Sequence, residues 1–151
     1  MYFDEEVVLL NQDAPDRDAA LRLLADEFLG KGLVAPSFPQ AVLDREDTYP
    51  TGLDLGTIGV AIPHTDVEHV VSPQLGFMSL ARPVQFHHMA DEATITDVSM
   101  IIMLALHKSE DQVPMLQHLM GLLQDRASLD ALASATSPAD VIGVFTRAGI
   151  S

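Results

Sequence analysis

Cysteine is missing from the chain altogether, which excludes disulfides, thiolate metal sites and a cysteine nucleophile. Basic residues are scarce. Eight lysines and arginines stand against 22 aspartates and glutamates, for a formal charge of −14. Nucleic-acid binding depends on clustered cations along the phosphate backbone, and dispersed ones do not supply them. An anionic membrane surface is disfavoured for the same reason. An anionic small substrate would also meet repulsion, unless a local cation or a helix terminus reverses the field at the site. No apolar run approaches the ~20 residues that a membrane-crossing helix needs, so no membrane insertion is expected. The start, MYFDEEVVLL, is acidic and lacks both the basic opening and the small-residue cleavage site of an export signal. The expected compartment is the cytoplasm.

Two catalytic signatures are also absent. No G-x-x-x-x-G-K-[ST] loop is present to cradle a nucleotide triphosphate, and no G-x-S-x-G elbow to raise a serine nucleophile. Use of ATP and serine hydrolase chemistry are therefore not expected. What remains for chemistry is imidazole, carboxylate and a few guanidinium groups.

With 151 residues, 48% of them hydrophobic, the chain can bury a substantial core and is expected to form a single domain over 1–151. Residues 6–12 (EVVLLNQ) suit a short strand. Leu21, Leu24, Ala25 and Phe28 recur at helical spacing, predicting a helix from Asp16 to about Lys31, stopped by Gly32. A short helix follows within 37–47, with Ser37 as the candidate N-cap. It gives way to a turn at 49-YPTG-52, because Pro50 biases Tyr49 away from helix and Gly52 permits positive φ. Residues 58–62 (IGVAI) read as a strand ended by Pro63. Residues 75–82 and 84–86 read as extended segments broken at Pro83.

Residues 98–106 (VSMIIMLAL) are nearly all apolar and read as a central strand buried on both faces. A helix over about 110–123 carries Val113, Leu116, Leu119, Met120 and Leu123 on one stripe, and Ser109 with Gln112 matches a capping box. A short helix near 127–134 and a last one from Ser137–Pro138 to Arg147 complete the chain. This alternation predicts an α/β domain: a mixed, mostly parallel central sheet with an antiparallel hairpin in the middle of the chain and helices on both faces.

The candidate chemistry centres on histidine, which titrates near neutrality and serves as nucleophile, acid, base or ligand. His64 and His107 each follow the carboxyl end of a predicted buried strand. Parallel neighbours would bring both to one sheet edge, where open α/β sheets bind ligands. The stretch 64-HTDVEH-69 invites a metal reading, but its histidines are five apart, whereas the H-E-x-x-H pattern sets them four apart on one helical face. His87 and His88, adjacent in an extended segment, should point to opposite faces. His118 reads as a partly buried structural residue. No metal site is expected.

The stretch 39-PQAVLDREDTYPTGLDLGTIGVAIPHTD-66 resembles the type-2 enzyme IIA components of the bacterial sugar phosphotransferase system, the mannitol/fructose family, and looks closest to the galactitol-type branch. The resemblance rests on R-E, then T-G, then A-I-P-H at matching intervals. It implies a phosphoryl relay: the A-I-P-H histidine, His64, accepts phosphate from the phosphocarrier protein HPr, at Nε2 in related domains, and passes it to a IIB component. No cofactor is implied. IIB domains of this type carry phosphate on cysteine, so the IIB function would lie on a separate polypeptide. A regulatory IIA-like module, phosphorylated at the same histidine but controlling other proteins, is the alternative.

Arg45 matches the family's arginine and would hold phosphate oxygens through a bidentate guanidinium; a salt bridge to Glu46 or Asp44 is the plainer role. Thr51 would donate a hydroxyl to the imidazole or phosphate, unless it serves only the turn. Mannitol and fructose relatives carry a second histidine at the start of the helix after the central strand. Here Gln112 aligns with it, and His107 from the preceding strand end is the other candidate to assist His64.

Overall fold

A computed structural model describes residues 1–151. Five strands form one sheet, β1 (Val8–Gln12), β2 (Gly52–Asp54), β3 (Gly59–Ala61), β4 (Gln74–His87) and β5 (Ile95–Ala105), in the order β1-β4-β5-β3-β2. Five helices complete the chain: α1 (Arg17–Gly30), α2 (Phe38–Thr48), α3 (Gln112–Leu123), α4 (Arg126–Ala133) and α5 (Pro138–Arg147). The sheet is mixed, as the sequence suggests. Its pairings divide evenly, however, instead of being mostly parallel: β1 with β4 and β3 with β5 are parallel, while β4 with β5 and β2 with β3 are antiparallel.

The balance shifts because β4 does not stop at Pro83. It runs 14 residues and folds back on β5. The register slips between Ser79 and Val84, and an irregular stretch of this kind tolerates the missing N–H of proline. His87 and His88 shape the turn that follows: His87 Nδ1 lies 2.7 Å from the Glu92 carbonyl oxygen, and His88 Nδ1 accepts from the Ala90 N–H at 3.0 Å. The β2 strand, whose first residue the sequence assigns to the 49–52 turn, forms because Gly52, Leu53 and Asp54 pair with Ala61, Val60 and Gly59.

Helices cover both faces. On one, Leu21, Leu24 and Phe28 of α1 and Phe38 and Val42 of α2 pack with Met78, Ile101 and Met103 of the sheet. On the other, Leu119, Leu129, Val141 and Phe145 from the last three helices pack with Val60, Phe77, Met100 and Ile102. Strand β5 supplies both cores, since alternate residues point to opposite faces and each face is covered. That is why the 98–106 run shows no polar alternation.

Helix ends follow their local chemistry in part. Asp16 caps α1 by accepting from the Ala19 N–H, and Ser137 caps α5 by accepting from Asp140. Gly32, at φ +72°, closes α1 with Leu33 N–H donating to the Phe28 carbonyl, an arrangement that favours glycine. Two expected caps do not form. Ser37 makes no cap bond to α2 and instead joins His69 Nδ1 at 2.7 Å. The Ser109–Gln112 capping box is also absent, because Ser109–Asp111 winds into a 3₁₀ turn that frees the Gln112 side chain.

Candidate functional site

Parallel pairing of β3 with β5 sets the carboxyl ends of both strands on one edge of the sheet. His64 stands there. Pro63 was expected to end the pairing, and proline does withhold an N–H, yet its carbonyl stays in the ladder: Leu104 N–H donates to it at 3.0 Å, and His64 lies opposite Leu104. The backbone carrying the imidazole is therefore fixed to the central strand.

The ring is oriented as well. Nδ1 lies 3.3 Å from the Ile62 carbonyl oxygen. A carbonyl only accepts, so Nδ1 carries the proton in that bond and Nε2 keeps its lone pair. Burial pushes the His64 pKa below its ordinary 6.5; the Ile62 carbonyl opposes this, the Arg45 charge adds to it and Asp66 opposes it. A neutral, half-buried imidazole with a bare Nε2 is a nucleophile at pH 7. An NMR titration following the His64 ring nitrogens should give a midpoint below ~6.5, the ordinary imidazole value, with Nδ1 protonated above it. A midpoint above that value would contradict this electrostatic environment.

Arg45, in the last turn of α2, places Nη1 3.5 Å from Asp66 Oδ1, so its ion pair is with neither Glu46 nor Asp44. The guanidinium also stacks 4.6 Å from the centre of the Tyr49 ring. Its Nε is buried without a hydrogen-bond partner. At 3.5 Å the pair is looser than the 2.7–2.9 Å of strong charge-assisted bonds. Arg45 thus retains unused donor capacity beside His64, where an anion would complete it.

Thr51 does not face the imidazole as a donor. Its hydroxyl donates to Glu46 Oε1 at 2.8 Å, and its N–H donates to Glu46 Oε2 at 2.6 Å. Glu46 is only 2% exposed, and this bidentate bond clips the end of α2 to the turn before β2. Burial raises the Glu46 pKa, with the two Thr51 bonds and Arg17 opposing. The folded state therefore holds this proton more tightly than the unfolded chain. The associated stability is complete below the ordinary value of 4.5 and is lost as pH rises through the raised one. Thr51 and Glu46 fix the turn; they leave the ligand space to Arg45.

Gln112, freed from capping, reaches back across the edge. Its Nε2 donates to the Thr65 carbonyl at 3.0 Å, binding the start of α3 to the residue after His64. His107 has its Nδ1 3.4 Å from the Val70 carbonyl, at the far end of the same loop. The structure therefore joins Gln112, and not His107, to the backbone beside His64. His69 turns toward Ser37 and Glu68, and His118 bonds the Ala148 carbonyl through Nε2. No group of three or more His, Asp or Glu side chains is arranged to hold a metal ion.

Three contributors escape the sequence reading: Asp66, Tyr49 and the Glu46 clip. Tyr49 is legible in retrospect, since it lies four residues after Arg45, one helical turn on. Asp66 follows His64 by two residues, but nothing in that spacing reveals its contact with Arg45.

The family described as phosphoenolpyruvate-dependent sugar phosphotransferase system, EIIA 2, matches residues 1–148. The galactitol-specific EIIA component of the phosphotransferase system of Escherichia coli K12 is 32% identical over 117 residues, which cover 78% of this chain and 77% of that protein. The crystal structure of the mannitol IIA of Escherichia coli has a TM-score of 0.75 and 26% identity, covering 93% of this chain and 96% of that one. The NMR structure of the same bacterium's mannitol IIA in complex with phosphorylated mannitol IIB has a TM-score of 0.75 and 26% identity, covering 94% of this chain and 95% of that one. With a neutral imidazole, a guanidinium with unused donors and a family match over nearly its whole length, the chain belongs to the EIIA 2 family of the sugar phosphotransferase system, near its galactitol branch, and is a IIA phosphocarrier.

Proposed function

We propose that His64 is the phosphoryl carrier. It takes the group from phospho-HPr and hands it to a cysteine of a separate IIB polypeptide during uptake of galactitol or a related polyol. The chain would work in the cytoplasm as one domain over 1–151. In the first step the Nε2 lone pair attacks phosphorus as the donor's N–P bond breaks and the HPr imidazole regains its electron pair. In the second, the cysteine thiolate attacks and the His64 N–P bond breaks.

The observation that carries this reading is the bond from Nδ1 to the Ile62 carbonyl at 3.3 Å, which leaves Nε2 as the free nitrogen of a half-buried ring. Transfer through a loose phosphoryl needs positioning and charge neutralisation more than covalent help from the protein. Arg45 has the donors for the equatorial oxygens, including the buried Nε. Gln112 holds the loop through Thr65, and its amide assists His64 by keeping that backbone in place. His107, exposed and tied to Val70, is given no part in transfer.

The test is incubation with phosphoenolpyruvate, enzyme I and HPr, followed by peptide mapping of the acid-labile phosphate and then addition of candidate IIB proteins. Phosphate on His64 that discharges to IIB is the expected result. Phosphate on a different residue refutes the carrier, and phosphate on His64 that no IIB removes favours the regulatory module.

A further inference from the structure

Asp66 has no part in the relay as described so far, yet it holds the one cation beside the acceptor. Its side chain is 70% exposed and lies 3.5 Å from the Arg45 guanidinium. Its backbone is held in place at two points. Gln112 pins the Thr65 carbonyl immediately before it, and the Asp66 carbonyl accepts from the His69 N–H at 3.3 Å. Tyr49 packs against the guanidinium at 4.6 Å, which limits how far Arg45 can swing away. Glu46, the neighbouring acid, is committed to Thr51 and does not compete for Arg45.

We propose that Asp66 is a positioning residue that shares Arg45 with the phosphoryl group on His64 and thereby keeps that group easy to transfer onward. The proposal rests on the reading of His64 as the carrier. A phosphoryl group brings close to two negative charges near neutral pH, so it draws Arg45 more strongly than one carboxylate does. With Asp66 still in reach, however, the guanidinium is divided between two anions, and the carboxylate repels the phosphoryl group directly. Full neutralisation would make His64 a sink for phosphate. A relay works in both directions only when each carrier holds its cargo moderately, because binding that is too favourable at one station slows the next.

The test uses the full chain and four variants: Asp66→Asn, Asp66→Glu, Arg45→Gln, and Asp66→Asn combined with Arg45→Gln. Phosphoryl equilibrium with phospho-HPr is measured from the fraction of each protein phosphorylated. Asp66→Asn should move it toward this chain by about three- to fivefold, the scale of an exposed ion pair, and slow discharge to IIB to a similar degree. Asp66→Glu should restore the original partition. Against Arg45→Gln alone, the double variant should show less than half of that shift, because the cation being shared is gone. An independent readout is the His64 imidazole pKa, which falls further in Asp66→Asn as the Arg45 charge is unmasked. An unshifted partition, a shift toward HPr, or an equal shift with and without Arg45 overturns the proposal. A chain that takes no phosphate on His64 refutes the carrier itself, which distinguishes that failure from this one.

Discussion

His64→Ala is expected to take up no detectable acid-labile phosphate from phospho-HPr, a loss on the order of 10⁴-fold or more, as follows from deleting the nucleophile of a covalent relay. The fold should survive. His64 is only half-buried and its one side-chain bond is to a local carbonyl, Ile62, so thermal stability should change by less than about 1 kcal/mol. Arg45→Gln provides the graded comparison. It keeps an amide donor and removes the charge, so transfer should fall by about 10²–10³-fold, the scale of losing one preorganised charge-stabilising group. Wild-type phosphate uptake by a folded His64→Ala variant would place the nucleophile elsewhere.

The two variants probe different parts of how the site was legible. His64 could be read directly, because a strand, a proline and a histidine in that order predict a side chain at a sheet edge whatever the tertiary detail. The environment of Arg45 could not, because it depends on where α2 meets the 64–69 loop. Asp44 and Glu46 are nearer in sequence, yet Glu46 turns inward to Thr51 and the charge partner comes from Asp66. Gln112 shows the same limit. S-x-x-Q is a local pattern with a local explanation, and a single turn of 3₁₀ helix was enough to send the amide to Thr65 instead.

For the fold, elements carrying their own signals are legible in the sequence: the periodic stripe and Gly32 stop of α1, the apolar run of β5, and the Ser137–Pro138 opening of α5. Elements made by pairing are not. Strand β2 has three residues and acquires its extended shape from β3. Strand β4 continues across Pro83 because β5 accompanies it on both sides of the irregularity. The even division of parallel and antiparallel pairs follows from those two misread segments. Hairpin partners are a tertiary property, and periodicity along one strand does not encode them.

Gly59→Ala is expected to cost about 3 kcal/mol or more, lowering Tm by roughly 10 °C for a chain of this size. The sequence puts this glycine inside the 58–62 strand and Gly56 outside it, but does not say which backbone it approaches. The structure separates them. A methyl at Gly59 would lie 1.9 Å from the Asp97 carbonyl oxygen and 2.8 Å from its carbon, so the backbones of β3 and β5 would have to part. At Gly56 a methyl meets nothing within 4 Å, and only its φ of +95° is unfavourable to other residues, a cost of about 1–2 kcal/mol. The consequences for transfer should differ more than those for stability. Strand β3 reaches its pairing with Met100 at Val60, one residue after Gly59, and His64 is held opposite Leu104 by the same register. Parting the strands at Gly59 moves the acceptor relative to Arg45 on α2 and Gln112 on α3. A displacement of about 1 Å at a reacting centre can cost 10²-fold in rate. At a temperature where both variants are folded, Gly59→Ala should therefore lose phosphoryl uptake by about that factor, while Gly56→Ala retains it. Melting curves together with phosphate uptake from phospho-HPr measure both effects, and equal uptake by the two variants would show that β3 does not set the position of the acceptor.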